Sequence, residues 1–134
     1  MNHFSRADGA SIYWTPATGA HTVLGAIRAK WAATGWQQGP LGYPVTDETV
    51  TPDGVGRVNH FNGSGGASIY WTPATGAHTV QGDIRAKWAS LGWERGQLGY
   101  PTSDEYGSGS GRREDFQHGG LVWDPRTRAV TVVR

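Results

Sequence analysis

The chain has 134 residues, a length typical of one domain-sized unit, and its formal net charge is +1 because 12 basic residues are interspersed with 11 acidic ones. This balance provides no basic surface of the kind that binds nucleic acid. The absence of cysteine excludes disulfides and thiol chemistry. No apolar run approaches the roughly 20 residues of a membrane-spanning helix.

An internal repeat is the main feature of the sequence. The letters GASIYWTPATGAHTV occupy residues 9–23 and again residues 66–80. The motifs IRAKWA and LGYP each occur twice as well, in the same order. A fixed long period predicts a tandem-repeat architecture. It also favours a module with several equivalent binding sites over an enzyme with one active site.

The predicted elements follow in chain order. Residues 1–23 form a partial N-terminal unit with only two strands of a hairpin. The complete repeat, residues 24–80, begins with a helix over residues 25–33, where Ile27 and Trp31 lie four apart and Gly35 ends the helix. A rigid turn follows at residues 41–44, and residues 45–56 are predicted as a loop. Three strands, at residues 57–61, 67–71 and 77–80, complete an antiparallel meander.

The last unit, residues 81–134, repeats the helix and the LGYP turn and then diverges. Phe116, Leu121 and Trp123 correspond to Phe61, Ile69 and Trp71, while the Gly-Ser run at residues 107–111 is typical of a flexible loop. The predicted fold is one repeat domain over residues 1–134. It is mainly β with short α-helices, a tandem array of small antiparallel β-meanders that is propeller-like or solenoid-like.

One meander with one helix cannot bury both faces of its sheet, so we expect neighbouring units to stack and complete the core. At least three repeats are usually needed for stability. The two and a half units here therefore predict that the chain either closes through its half-unit or gains buried surface as a homo-oligomer.

The ordered motifs resemble the LGFP repeat family of actinobacterial cell-envelope proteins. The matching elements are the Leu-Gly-aromatic-Pro signature, the acidic pair after it, a Phe, the Gly-Gly-x-x-Ile-Tyr-Trp strand and the Gly-Ala-x-x-Val return. The resemblance covers essentially the whole chain. The third letter of the signature is Tyr instead of Phe, and the strand at Leu121 to Trp123 departs further.

This resemblance implies a secreted or cell-wall module that binds wall polysaccharide, such as arabinogalactan or peptidoglycan, and anchors attached enzymes there. Residues 1–4 do not read as the start of a signal peptide, so the protein is either cytoplasmic or a mature or truncated fragment. Because the chain begins in the middle of a repeat, we expect the fragment of a secreted protein. The module itself is expected to be non-catalytic and to need no cofactor. The alternative is a protein-interaction or self-assembly module, whose basis is an unpaired strand edge in the half-unit.

The alternation of side chains along each strand predicts which aromatic residues are buried and which are exposed. Trp14, Trp71 and Trp123 share the phase of apolar neighbours and are predicted to be core. Tyr13 and Tyr70 point the other way and are predicted to be exposed and to stack on sugar rings. Trp36 and Trp93, just after each helix, either close the core or line a groove.

Polar partners for a sugar are sought near the turns. Asp47 and Asp104 follow the LGYP motifs, where they either bind sugar hydroxyls or cap the turn backbone. His21 and His78 occupy equivalent strand positions and complete the predicted carbohydrate site. The histidines show no metal-ligand spacing, so no metal site is expected. Adjacent carboxylates match a glycosidase poorly, and no nucleophile elbow is present, so no catalytic residue is predicted.

Overall fold

The computed structural model describes residues 2–5, 11–15, 19–23, 25–35, 38–63 and 66–133, with backbone alone for the strand residues before Val23. Within them it is mainly β with two short helices. The N-terminal sheet contains β1 (Asn2–Ser5), β2 (Ser11–Thr15) and β3 (Gly19–Val23). The middle sheet contains β4 (Thr49–Val50), β5 (Arg57–Phe61), β6 (Ala67–Thr72) and β7 (Gly76–Gln81). The last sheet contains β8 (Tyr106–Ser108), β9 (Gly111–Phe116), β10 (Gly119–Trp123) and β11 (Val130–Val133). Helix α1 (Gly25–Ala33) precedes the middle sheet, and α2 (Gly82–Ser90) precedes the last.

All three sheets are antiparallel, with neighbouring strands in sequence order, and the middle and last sheets are meanders as predicted. Three details differ from the prediction. The N-terminal unit, predicted to keep only two strands, has a third strand, β1, which pairs with β2. The segment predicted as a loop at residues 45–56 contains β4, which pairs Thr49 with Val58. The Gly-Ser run is the turn of a hairpin instead of a flexible loop, because Ser108 pairs directly with Gly111 across β8 and β9.

Two apolar cores lie on opposite sides of the middle sheet. The first core lies between α1 and this sheet and consists of Val23, Ile27, Trp31, Leu41, Phe61, Ala67 and Ile69. The second core lies around α2 and consists of Val58, Tyr70, Val80, Ile84, Trp88, Leu98, Tyr100, Phe116 and Leu121. Helix α2 packs against both β7 of the middle sheet and β10 of the last sheet. The expectation that neighbouring units complete each other's core is therefore confirmed for the middle sheet.

Strand β6 illustrates this burial on two sides. Ile69 is 0% exposed in the first core, and Tyr70 is 4% exposed in the second. Successive residues point to opposite faces of a strand, and here both faces are covered. Trp71 and Trp123 pack against the first and second core respectively, as predicted, but each remains partly exposed. The side chain of Trp14 lies outside the described residues.

The LGYP turns hold each helix against its own sheet. The indole of Trp31 donates from Nε1 to the carbonyl of Gly42 at 3.2 Å, and Trp88 donates to Gly99 at 3.1 Å. Gly42 has φ of +75°, and a Cβ there would lie 2.3 Å from Oδ1 of Asn62. Only glycine adopts this backbone conformation without strain, so the signature is a structural anchor that recurs in each copy.

Polar contacts also join the middle and last units. The hydroxyl of Tyr100 lies 2.7 Å from Oγ1 of Thr51 and donates to both carboxylate oxygens of Asp53 at 2.8 Å. Lys30 of α1 forms an ion pair with Asp104, which follows the second LGYP turn. Neither described helix has the length and hydropathy of a membrane-spanning segment.

Candidate functional site

Two clefts occupy corresponding places in successive units, each at the start of a helix. The middle cleft has a volume of about 240 Å³, and the last cleft has a volume of about 370 Å³. The middle cleft is lined by Gly25, Ala26, Ile27, Glu48, Arg57 and Trp71. The last cleft is lined by Gln81, Gly82, Asp83, Ile84, Glu105, Arg112, Trp123 and Arg128.

Strand pairing places the same arginine and tryptophan in both clefts. Arg57 at the start of β5 pairs with Trp71 near the end of β6. Arg112 of β9 pairs with Trp123 of β10 in the same way. Directly opposed residues on one sheet face have side chains within contact distance. Each cleft therefore presents a partly exposed indole beside a guanidinium.

A glutamate completes each cleft, but the two ion pairs differ in closeness. Nε of Arg112 donates to Oε2 of Glu105 at 3.0 Å, and its Nη2 donates to the Glu105 carbonyl at 3.3 Å. In the middle cleft, Nη1 of Arg57 lies 3.5 Å from Oε2 of Glu48. This distance is beyond the range of a good hydrogen bond, so the guanidinium of Arg57 is held less tightly than that of Arg112.

The first helical turn distinguishes the clefts further. Asp83 of α2 accepts a hydrogen bond from Nε1 of Trp123 at 2.8 Å and two from Arg128 at 3.2 Å. The hydrogen bonds from Arg128 and then from Trp123 lower the pKa of Asp83. The corresponding residue of α1 is Ala26. The last cleft thus holds a second carboxylate, beside that of Glu105, whereas the middle cleft is lined by Glu48 alone.

A third and larger cavity, the aromatic cleft, lies beside the 3₁₀ turn Trp93–Arg95 and has a volume of about 670 Å³. It is lined by Pro52, His60, Tyr70 and residues 91–96. The ring centroid of His60 lies 6.2 Å from that of Tyr70 and 6.0 Å from that of Trp93. Trp93 has φ of 59°, a left-handed conformation that is strained for a bulky residue. The guanidinium of Arg85 lies over its ring at 5.0 Å. Rings from β5, β6 and the 3₁₀ turn thus meet in this cleft.

Burial controls the ionisation of the groups in the aromatic cleft. Burial, followed by the nearby charge of Arg85, lowers the pKa of His60. Burial, followed by the charge of Glu94, raises the pKa of Tyr70. His60 also lies 2.6 Å from the hydroxyl of Ser68, which accepts from Nε of Arg85 at 2.9 Å. These polar groups are therefore already engaged within the protein.

Repetition of the helix, the signature turn and the cleft points to one family of modules. The family model described as LGFP repeat matches three segments, residues 1–39, 41–96 and 98–134. The chain belongs to the LGFP repeat family. The second and third matched segments begin at the LGYP turns, so the family's LGFP unit starts at the signature. The comparison with curated proteins found no match.

Two residues of this LGFP module that were predicted to bind sugar, His78 and Asp104, form contacts within the protein. His78 and Asp104 do meet, because Nδ1 of His78 lies 3.2 Å from Oδ1 of Asp104. Asp104 also accepts hydrogen bonds from Lys30 and from the amide of Thr79. Burial raises the pKa of Asp104, but the hydrogen bonds from Lys30, Thr79 and His78 outweigh it, and the net pKa is lowered. These partners are all distant in sequence, so the carboxylate of Asp104 joins the last unit to the middle one and differs in this from the predicted cap of its own turn.

The expectation that Tyr70 is exposed is wrong. Its ring is 4% exposed and packs edge-on against Trp88 of α2 at 4.8 Å, because the next unit of the LGFP array covers this face of the sheet. Trp93 is partly buried against the second core and also lines the aromatic cleft. Asp47 is exposed. Trp36 and the side chains of Tyr13 and His21 lie outside the described residues.

Sequence reasoning did not identify the arginines and glutamates of the two clefts. Arg57 is the first residue of β5 and Arg112 is the second residue of β9. Each pairs with a tryptophan, and this repeated cross-strand pair was the available signal. The described residues contain no group of three His, Asp or Glu side chains able to hold a metal ion. The clefts of this LGFP module are suited to hydrogen bonding and stacking.

Proposed function

We propose that the protein is a non-catalytic module that binds cell-wall polysaccharide, such as arabinogalactan or peptidoglycan. The observation that carries the proposal is the cleft with a partly exposed tryptophan, an arginine and a glutamate, which recurs in two successive units. An indole face packs on the apolar C–H face of a sugar ring. Arginine and glutamate supply the donors and acceptors that hydroxyl groups require.

Repetition of the cleft suits a repetitive ligand. Two weak sites on one chain bind a polymer more tightly than either site alone, provided that both are engaged together. The proposal therefore includes a secreted or wall-bound location, at which such modules anchor the enzymes to which they are fused. It also includes the propeller-like or solenoid-like stacking of further units, which would place the clefts at regular intervals.

A pull-down on purified actinobacterial wall, separated into peptidoglycan and arabinogalactan, tests the proposal. We expect retention on one fraction and release by its soluble oligosaccharide. Arg57→Ala and Trp71→Ala should weaken retention, whereas Trp93→Ala in the aromatic cleft is the matched aromatic control. Thermal unfolding of each variant establishes that it is folded. Failure of the folded protein to bind any fraction would reject the proposal.

The alternative is a protein-interaction or self-assembly module. It is supported by the edge strands of the described sheets, since β4 and β7 form the edges of the middle sheet and edge strands can pair with another chain. Light scattering across a concentration series separates the two functions. A discrete oligomer that forms without glycan, from protein that no wall fraction retains, would favour assembly.

A further inference from the structure

In the last cleft, a carboxylate of the protein itself takes up the hydrogen-bond donors. The carboxylate of Asp83 accepts from the indole of Trp123 at 2.8 Å and from the guanidinium of Arg128 at 3.2 Å. These are charge-assisted hydrogen bonds, which are stronger than neutral ones. The indole that would otherwise face a ligand is therefore satisfied by the protein itself.

The middle cleft has a counterpart of Trp123 but none of Asp83 or of Arg128, and its guanidinium is that of Arg57. Trp71 holds the same register position as Trp123, and its indole N–H has no acceptor in the described part of the chain. Arg57 is 48% exposed and has its ion-pair partner Glu48 only at 3.5 Å. Its guanidinium carries five N–H donors, more than this one loose contact uses.

The first turn of α1 is also free of acidic residues, with Ala26 at the position of Asp83. The start of a helix carries a partial positive charge that favours an anion. Glu48 partly neutralises Arg57, but its side chain is only 8% exposed and the pair is loose at 3.5 Å. Donors from Trp71, Arg57 and the helix start are therefore left for one acceptor group.

We propose that the middle cleft binds the carboxylate of an acidic sugar residue, at the position that Asp83 fills in the last cleft. The proposal rests on the polysaccharide-binding function proposed above and specifies its ligand chemistry. The last cleft is self-occupied, so the two corresponding clefts differ in affinity. Ala26 makes the middle cleft the open one.

Indole N–H signals in a ¹H–¹⁵N correlation spectrum give a direct readout for each cleft. The probes are sodium glucuronate, its methyl ester and glucose, at constant ionic strength. Trp71→Phe and Trp123→Phe assign the two signals. We expect glucuronate to shift the Trp71 signal saturably, and the ester and glucose to bind about tenfold more weakly because each lacks a charge-assisted hydrogen bond.

Two exchange variants test the role of the first helical turn. Ala26→Asp should abolish the response of Trp71, because it supplies the middle cleft with a carboxylate. Asp83→Ala should make the Trp123 signal respond to glucuronate. Both sites are at least partly exposed, and circular dichroism checks that each variant is folded.

The outcomes separate this inference from the general function. Equal shifts with glucose and glucuronate would overturn the carboxylate specificity, even if wall polysaccharide is bound. A silent Trp71 signal in protein that is retained on a wall fraction would overturn the assignment of the cleft. A glucuronate response confined to Trp71 would support the inference, even if no wall fraction retains the protein.

Discussion

Glu114 of β9 is predicted to destabilise the folded protein, and Glu114→Gln should relieve this cost. Its side chain is 0% exposed, and neither carboxylate oxygen has a hydrogen-bond partner. Burial, and then the charges of Glu105, Asp104 and Asp115, raise its pKa well above the ordinary value. A buried polar group without a partner typically costs about 1–3 kcal/mol.

The corresponding residue of the middle sheet indicates that an amide fits this position. Asn59 is also 0% exposed, and its Nδ2 donates to the carbonyl of Thr46 at 2.9 Å. A glutamine at position 114 has an equivalent donor. We therefore expect Glu114→Gln to raise the free energy of unfolding by about 1–3 kcal/mol at pH 7.

The dependence on pH provides a second test. The unfolded chain releases the proton of Glu114 near pH 4.3, whereas the folded protein retains it to higher pH. The folded state therefore binds more protons above that pH, and the stability of the wild-type protein falls as pH rises. Each pH unit within this range costs about 1.4 kcal/mol, so the loss between pH 5 and pH 7 is up to about 2.7 kcal/mol.

Denaturant unfolding followed by tryptophan fluorescence at pH 5, 6 and 7 measures both effects. Asp83→Asn is the matched control, because Asp83 is partly exposed, is paired with Arg128 at 3.2 Å and is not among the charges that raise the pKa of Glu114. This control should lower stability by up to about 1 kcal/mol, the opposite sign. An unchanged pH slope in Glu114→Gln, with stability at or below that of wild type, would refute the reasoning.

Three further substitutions test contacts within and between the units. Gly42→Ala should lower the free energy of unfolding by more than about 1 kcal/mol in denaturant titrations, since φ is +75° and the new Cβ meets Asn62 at 2.3 Å. Tyr100→Phe should cost about 1–3 kcal/mol by the same assay, because its buried hydroxyl donates to Asp53. Asp104→Asn should flatten the acid side of the plot of folding stability against pH. The pKa of Asp104 is lowered in the folded protein, so its contribution to folding stability is present above about pH 3.9 and is lost as the pH falls through the pKa of the folded state.

Each of these three substitutions has a matched comparison. Gly54 also has positive φ, +74°, but a Cβ there meets nothing within 4 Å, so Gly54→Ala isolates the backbone strain from the clash. Tyr106→Phe removes an exposed hydroxyl contact with Asp115 and should change stability by less than about 0.5 kcal/mol. Lys30→Met should flatten the same acid limb as Asp104→Asn. Equal effects within the glycine pair or the tyrosine pair would contradict the corresponding structural reason.

Local patterns in the sequence were sufficient for most of the elements. Helix α1 begins and ends where its Ile27 and Trp31 stripe and its glycines place it. Strand β4 was not predicted because two residues are too few for an alternation to be visible. The hairpin at residues 107–111 was also missed, because glycine and serine are typical of turns and flexible loops alike.

The candidate site depended on information beyond local pattern. Alternation correctly placed Ile69 and Tyr70 on opposite faces of β6. It does not indicate which face a neighbouring unit covers, and α2 covers the face of Tyr70. The middle cleft combines Glu48, Arg57 and Trp71 from three segments. Their proximity depends on strand register and on the position of the helix, which a single sequence does not specify.

Helix α2 lies between the middle and last sheets, so the interface between two copies is made from the back of one and the front of the next. Such a head-to-tail interface has a consequence for the growth of the gene. An in-frame duplication of one copy brings both halves of the interface with it, and the inserted copy meets surfaces that already fit. An array of this kind lengthens or shortens by whole copies without requiring a new interface to evolve.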